Sequence, residues 1–165
     1  MSKFKLNTLH LHLTDDQLWT FEVKKYPLLT EIGTQRTNVD GSVYKGGYFT
    51  QEELRQLVDY ASVRGVTIIP EIEMPGHSME VNRAYSEIAC VGEDGKPRPF
   101  SWDLCLGNEG TFKFLETVLE EVIELFPYEY IHIGGDEAVK KDWEVCVNCQ
   151  KRMQEEGMEH KNELQ

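Results

Sequence analysis

From Leu9 the chain alternates without a break, placing Leu9, Leu11 and Leu13 on one side and His10 and His12 on the other. Period-two alternation predicts a strand over about 5–13, with Thr14-Asp-Asp-Gln17 as the loop leaving its carboxyl end. Trp19 to Val23 reads as a short extension or hairpin arm. Tyr26 to Gly47 is turn-rich and irregular, with Gly33, Gly41, Gly46 and Gly47. The period then changes. Thr50 and Glu53 form a capping box, and Leu54, Leu57, Val58 and Ala61 make one apolar stripe of a helix that stops at Gly65. Val66 to Glu73 is a second strand, with Pro70 better suited to a strand end than to its middle. The tight Met74-Pro-Gly-His-Ser78 loop follows, then a short helix over 78–89 and a loop over 90–107. A long amphipathic helix covers about 109–126, its stripe read as Leu115, Val118, Leu119, Val122, Ile123 and Phe126. Pro127 closes it. The apolar run Tyr130-Ile-His-Ile is the third strand, ending in Gly134-Gly-Asp-Glu137. The tail from Ala138 to Gln165 is charged and helical in character.

Strand, helix, strand, helix, strand, helix implies an α/β fold with parallel strands and crossover helices. About three consecutive β/α units are present, too few to close a barrel of about 250 residues. Each strand's exit carries similar cargo: Asp15-Asp16 after the first, Glu73 and His77 after the second, Asp136-Glu137 after the third. Polar residues at the same end of successive strands are the pattern of a β/α-barrel active site. The bland alternative makes Asp15 and Asp16 turn residues, His77 a surface side chain and Asp136-Glu137 a helix N-terminus complementing its dipole.

Composition narrows the partners. The 165 residues are 40% hydrophobic and 28% charged, an ordinary globular balance. A net charge of −12 argues against nucleic acid and against an anionic membrane surface. The apolar runs are too short for a transmembrane span, and Met1-Ser-Lys-Phe-Lys5 does not read as a signal peptide. Four cysteines do not make a disulfide scaffold at this length. Cys146 and Cys149 form a lone C-x-x-C, without a second pair or a His at zinc-finger spacing, and read as helix-surface or partly buried thiols. A Cys90–Cys105 bridge fits the intervening loop. No metal and no cofactor is expected.

Three motifs in order, His10-Leu-His-Leu-Thr-Asp-Asp-Gln17, Pro70-Glu-Ile-Glu-Met-Pro-Gly-His77 and His132-Ile-Gly-Gly-Asp-Glu137, resemble glycoside hydrolase family 20, the β-N-acetylhexosaminidases. Tyr26-Pro, Tyr60-Ala-x-x-Arg-Gly65 and Leu125-Phe-Pro127 fit the same family, so the likeness covers essentially the whole chain. Glu73 departs from it, since many members carry Asp there. The resemblance implies a (β/α)8 TIM barrel, of which residues 1–165 are a portion truncated at both ends. It also implies removal of terminal N-acetylglucosamine or N-acetylgalactosamine from glycans, the sugar's own 2-acetamido group acting as nucleophile. Glu137 would be the general acid, Asp136 the carboxylate steadying the acetamide and the growing ring charge, and His77 and Asp15 the pair orienting the acid. Asp16, Trp19 and His132 are the substrate-side candidates. Trp19 is equally read as an apolar anchor and His132 as a hydrogen-bonded core histidine. The family's sugar-gripping arginine would lie before Met1, and its acetamide-wrapping tryptophans beyond Gln165. The isolated chain is therefore expected to be poorly active without the rest of the barrel. By family, a periplasmic, extracellular or lysosome-like compartment is suggested. Two other readings stand beside this one. The chain is either a non-catalytic, sugar-binding remnant or a metal-dependent barrel hydrolase using His10 and His12 with Asp15, His77 and Asp136.

Overall fold

The computed structural model describes residues 1–165. In chain order its elements are β1 (Thr8–His12), β2 (Thr14–Asp15), β3 (Leu18–Trp19), α1 (Leu28–Glu31), β4 (Gln35–Thr37), β5 (Val43–Lys45), α2 (Gln51–Ser62), β6 (Thr67–Glu71), α3 (Met79–Ala84), α4 (Glu109–Leu125) and α5 (Val147–Glu156). β1 and β6 are parallel, in a register running from Thr8 opposite Thr67 to His12 opposite Glu71. Short antiparallel pairs join β2 to β3 and β4 to β5.

The third predicted strand is only partly built. Residues 130–133 run beside β6 through one parallel bridge, Glu71 to His132. Three hydrogen bonds hold it: His132 N–H to Pro70 O at 3.0 Å, Ile72 N–H to His132 O at 3.0 Å and Met74 N–H to Ile133 O at 3.1 Å. Gly134 and Gly135, at φ 64° and 96°, turn the backbone away before a longer ladder can form. The regular parallel sheet thus has two strands rather than three. The irregular 26–47 stretch contains the β4–β5 hairpin, whose turn places Gly41 at φ 81°. Pro70 sits inside β6, opposite Leu11. It is tolerated because only its missing N–H is lost to the ladder, while its carbonyl still accepts from His132.

The helices follow their local chemistry. The Thr50–Glu53 capping box is complete, and Gly65 takes φ 66° after the last turn of α2. Asn108 caps α4 by accepting from Gly110 N–H at 2.8 Å. The buried face of α4 is Thr111, Phe114, Val118, Val122 and Leu125, continued by Phe126. Ile123, placed on that stripe by the pattern, is instead exposed. The stripe centres one position around because Phe114, not Leu115, enters the core: its ring lies 4.7 Å from Tyr26 and 6.4 Å from Trp19. This core also takes in Leu13, Phe21, Leu29, Leu54 and Ile72, and fixes the strand ends from which the site projects. No helix is long and apolar enough to cross a membrane.

A smaller core holds Cys90, Cys105, Cys146 and Cys149 with Leu106 and Trp143. All four cysteines are free and fully buried. The Cys90–Cys105 bridge is therefore not formed, and Cys146 and Cys149 are not surface thiols. Trp143 draws α5 inward and donates its indole N–H to Leu104 O at 2.9 Å.

Candidate active site

Every candidate acid stands on a loop at the carboxyl end of the strands, where side chains leave the sheet together. Asp15 and Asp16 follow β1 on the β2–β3 hairpin, and His77 closes the Met74-Pro-Gly loop after β6. Asp136 and Glu137 follow the glycine pair. These loops touch through backbone at Gly76 and through the Glu73 side chain at Gly134. A Cβ on Gly76 would lie 3.1 Å from Asp136 O and 3.3 Å from Ala138 Cα. A Cβ on Gly134 would fall 1.8 Å from Glu73 Oε2. Both glycines are there so that one loop can lie against the next.

His77 joins the three loops. Its Nδ1 is 3.2 Å from Asp16 Oδ2 and 3.3 Å from Asp15 Oδ1, and its Nε2 is 3.6 Å from Glu137 Oε2. Two carboxylates on Nδ1 place the ring proton there, leaving Nε2 turned to Glu137. Burial opposes charge on His77, but Asp16, Asp15 and Glu73 outweigh it and raise the imidazole pKa above its usual value. Asp136 joins the same group, with a carboxylate oxygen, the Glu137 carboxylate and a His77 nitrogen all within 4.8 Å of one another. The Glu137 side chain is 78% exposed, so its acid faces the open side of the sheet end. His77 and Glu137 both hold left-handed backbone, at φ 49° and 50°. Such conformations cost non-glycine residues about 1–2 kcal/mol and are kept where surrounding contacts over-determine them.

Asp15 and Asp16 both face His77 but differ in setting. The Asp16 side chain is 6% exposed and the Asp15 side chain 36%. Asp16 also accepts from Met79 N–H at 3.4 Å. Burial raises its pKa, against the opposing pull of that N–H and of His77. Asp16 therefore belongs to the histidine's surroundings as fully as Asp15 does. Trp19 is 1% exposed and gives its indole N–H to Phe21 O at 2.7 Å, holding the position of apolar loop anchor. His132 is exposed and hydrogen-bonded rather than buried: its Nδ1 lies 2.7 Å from Glu71 Oε1.

Glu71 is a participant the sequence did not single out. It takes His132 on one oxygen and His10 Nε2 at 2.7 Å on the other, with His12 Nδ1 at 3.8 Å. His12 Nε2 lies 3.2 Å from Glu73, whose pKa is raised by burial and then by Glu71 and Asp136. The parallel register builds this cluster, placing Glu71 on the face that alternation gives to His10 and His12. The five ligands of the metal-hydrolase reading do not converge. His10 groups with Glu71 and His132, His12 with Glu71 and Glu73, and His77 separately with the two aspartates or with Asp136 and Glu137. Two further buried acids also lie outside the motifs. Glu80 is fully enclosed with neither oxygen hydrogen-bonded, and burial raises its pKa well above the ordinary value. Asp103 accepts Val139 N–H at 3.1 Å and Lys140 N–H at 2.6 Å, fastening the chain just past Glu137.

An imidazole braced by aspartates and aimed at a pair of acids, at the carboxyl ends of parallel strands, is an arrangement able to pass a proton. The chain belongs to glycosyl hydrolase family 20: the family's catalytic-domain model matches residues 1–165. A Beta-hexosaminidase of Porphyromonas gingivalis is 49% identical over 170 residues, covering 100% of this chain and 22% of that protein. The crystal structure of beta-N-acetylhexosaminidase from Bacteroides fragilis superposes with a TM-score of 0.84 at 36% identity, over 99% of this chain and 32% of that one. The Exo beta-N-Acetylglucosaminidase of Vibrio harveyi, solved in complex with N-acetylglucosamine, gives a TM-score of 0.83 at 33% identity, over 99% and 28%. The chain thus spans about a fifth to a third of the length of these relatives.

Proposed function

We propose that residues 1–165 carry the acid–base part of a β-N-acetylhexosaminidase that removes terminal N-acetylglucosamine or N-acetylgalactosamine. The observation that carries this reading is the line Asp15/Asp16–His77–Glu137, with Asp136 beside it. Glu137 gives its proton to the departing glycosidic oxygen and then takes one from the incoming water. His77 acts through Glu137: when it is charged, its Nε2–H stabilises the carboxylate left behind, and the aspartates at Nδ1 hold the ring in that orientation. Asp136 accepts from the acetamide N–H and steadies positive charge on the ring. The nucleophile is the sugar's own acetamide carbonyl oxygen, so no enzyme carboxylate has to stand across the anomeric carbon. That division of labour fits two adjacent acids on one loop better than the separation of about 5 Å or more used by acid pairs flanking the scissile bond.

The same proposal makes the chain one part of a (β/α)8 barrel. The edge of β1 away from β6 has no strand partner, and His10, His12 and His132 stand exposed beside Glu71 on a face that a closed barrel would enclose. The rest of the barrel supplies the remaining sugar contacts, and the chain by itself is at most feebly active.

The test uses the protein at its natural full length. Glu137→Gln should lower kcat on an N-acetylglucosaminide with a poor leaving group by about 10²–10⁴-fold and affect an activated aryl glycoside much less. Affinity for a thiazoline that mimics the cyclised acetamide should be retained. Equal loss on both substrates would remove Glu137 from the role of acid.

A further inference from the structure

The four cysteines are not used by the chemistry above, and their arrangement is that of a ligand set. Their Sγ atoms all lie within 4.8 Å of one another. The close pairs are Cys105–Cys146 at 3.6 Å, Cys105–Cys149 at 3.7 Å and Cys90–Cys149 at 3.9 Å. A tetrahedral metal bound to four sulfurs at about 2.3 Å separates them by about 3.8 Å along each edge. Disulfide sulfurs sit near 2.05 Å, and no pair here approaches that. Each of the four side chains is also fully buried.

We propose that Cys90, Cys105, Cys146 and Cys149 bind one zinc ion as a closed, four-thiolate structural site. The donors come from three places: the turn after α3, the approach to α4, and the first turn of α5, where Cys146 is the N-cap and Cys149 the third residue. Two features prepare this spot for negative sulfur. Val91 N–H points at Cys146 Sγ at 3.3 Å, and the α5 N-terminus places the positive end of its dipole beside two of the donors. Both offset the double negative charge of a zinc ion with four thiolates. A third feature brings the donors together. A Cβ on Gly107 would lie 2.1–2.3 Å from the backbone of Asn148 and Cys149, so only glycine lets the Cys105 segment lie against the start of α5.

Soft thiolates in tetrahedral array suit zinc or iron rather than the hard magnesium, calcium or manganese, which take oxygen ligands. No coordination position is left for substrate, so the ion's part is mechanical. It ties the 90–105 loop to the chain descending from Glu137, in parallel with the Asp103 carboxylate on Val139 and Lys140 and the Trp143–Leu104 bond. Four reduced thiols packed as small apolar groups are the competing account.

Metal content decides between them. The full-length protein is purified under reducing conditions by a step that involves no metal resin, and zinc is measured by elemental mass spectrometry. Wild type should carry about one zinc per chain more than Cys149→Ser or Cys90→Ser, with the excess released as a mercurial consumes thiols. His10→Ala and His132→Ala, which alter a different cluster, should leave zinc content unchanged. Cobalt(II) exchanged into wild type should show sulfur-to-metal charge-transfer absorption that Cys149→Ser lacks. The wild-type measurement stands even where a variant folds poorly. Wild type without zinc, whether its cysteines are free, disulfide-bonded or holding iron, overturns the proposal.

Discussion

His77 is where sequence, geometry and electrostatics meet. Its pKa is raised because neighbouring carboxylates favour the imidazolium more than burial disfavours it. The sign of the consequence follows by linkage. Below the unfolded value of about 6.5 the charged ring stabilises the native state in full, and that stabilisation is lost as pH rises through the raised folded pKa. Asp16→Asn should lower the His77 pKa, read from the ring Cε1–H chemical shift across pH; an unchanged midpoint would remove Asp16 from the array. Glu80 works in the same direction by a different cause. Buried without a hydrogen-bond partner, it keeps its proton in the native state well above 4.5, where the unfolded chain releases it. Its share of stability is therefore present at low pH and declines as pH rises from that value. Glu80→Gln should make urea-unfolding stability fall less steeply as pH rises above 4.5, although Asp16, Glu73 and Asp103, also raised by burial, keep some of the slope. An unchanged slope would mean that Glu80 finds a partner in solution. Asp15, His77, Asp136 and Glu137 were legible in the sequence because each follows a strand. Glu71 and Glu80 were not. One shares a face with histidines only through inter-strand register, and the other is buried by packing that no local pattern records.

At the level of elements, glycines separate two kinds of constraint. Gly65 ends α2 at φ 66° with open space where a Cβ would stand. Gly65→Ala should therefore cost about 1 kcal/mol, the left-handed penalty alone. Gly134 has nearly the same φ, 64°, but its Cβ would overlap the buried Glu73 carboxylate. Gly134→Ala should cost more, about 2–4 kcal/mol, because the left-handed penalty is joined by the shift forced on the Glu73 carboxylate. Thermal midpoints of the two variants compare them directly, and equal shifts would contradict the close packing at Gly134. α2 was readable from end to end, since its capping box, stripe and terminal glycine are all local. The face of α4 was misjudged by one position at Phe114 and Ile123, because which of two adjacent apolar rows is buried depends on the aromatic cluster of Trp19, Tyr26 and Phe114. The β4–β5 hairpin hid in a glycine-rich stretch, where turn signals are plain but strand alternation is too short to register.

For the molecule as a whole, the family was the most legible property, because its three motifs fall at three strand exits and the fold brings those exits together. The extent of regular sheet was less so: apolar content announced a strand at 130–133, but its ladder also depends on neighbours on both sides. The isolated chain, with β1 paired on one edge only, should show at most trace hydrolysis of a chromogenic N-acetylglucosaminide, against full turnover by the full-length protein. Full turnover by the chain alone would mean that residues 1–165 suffice for the site. The central claim is that the substrate's acetamide carbonyl attacks while Glu137 protonates the leaving group. It is tested most directly with full-length protein and aryl glycosides whose N-acetyl methyl carries zero to three fluorines. Fluorine withdraws electrons from the carbonyl oxygen, so kcat/KM should fall steeply with each one added; a flat series would contradict the account.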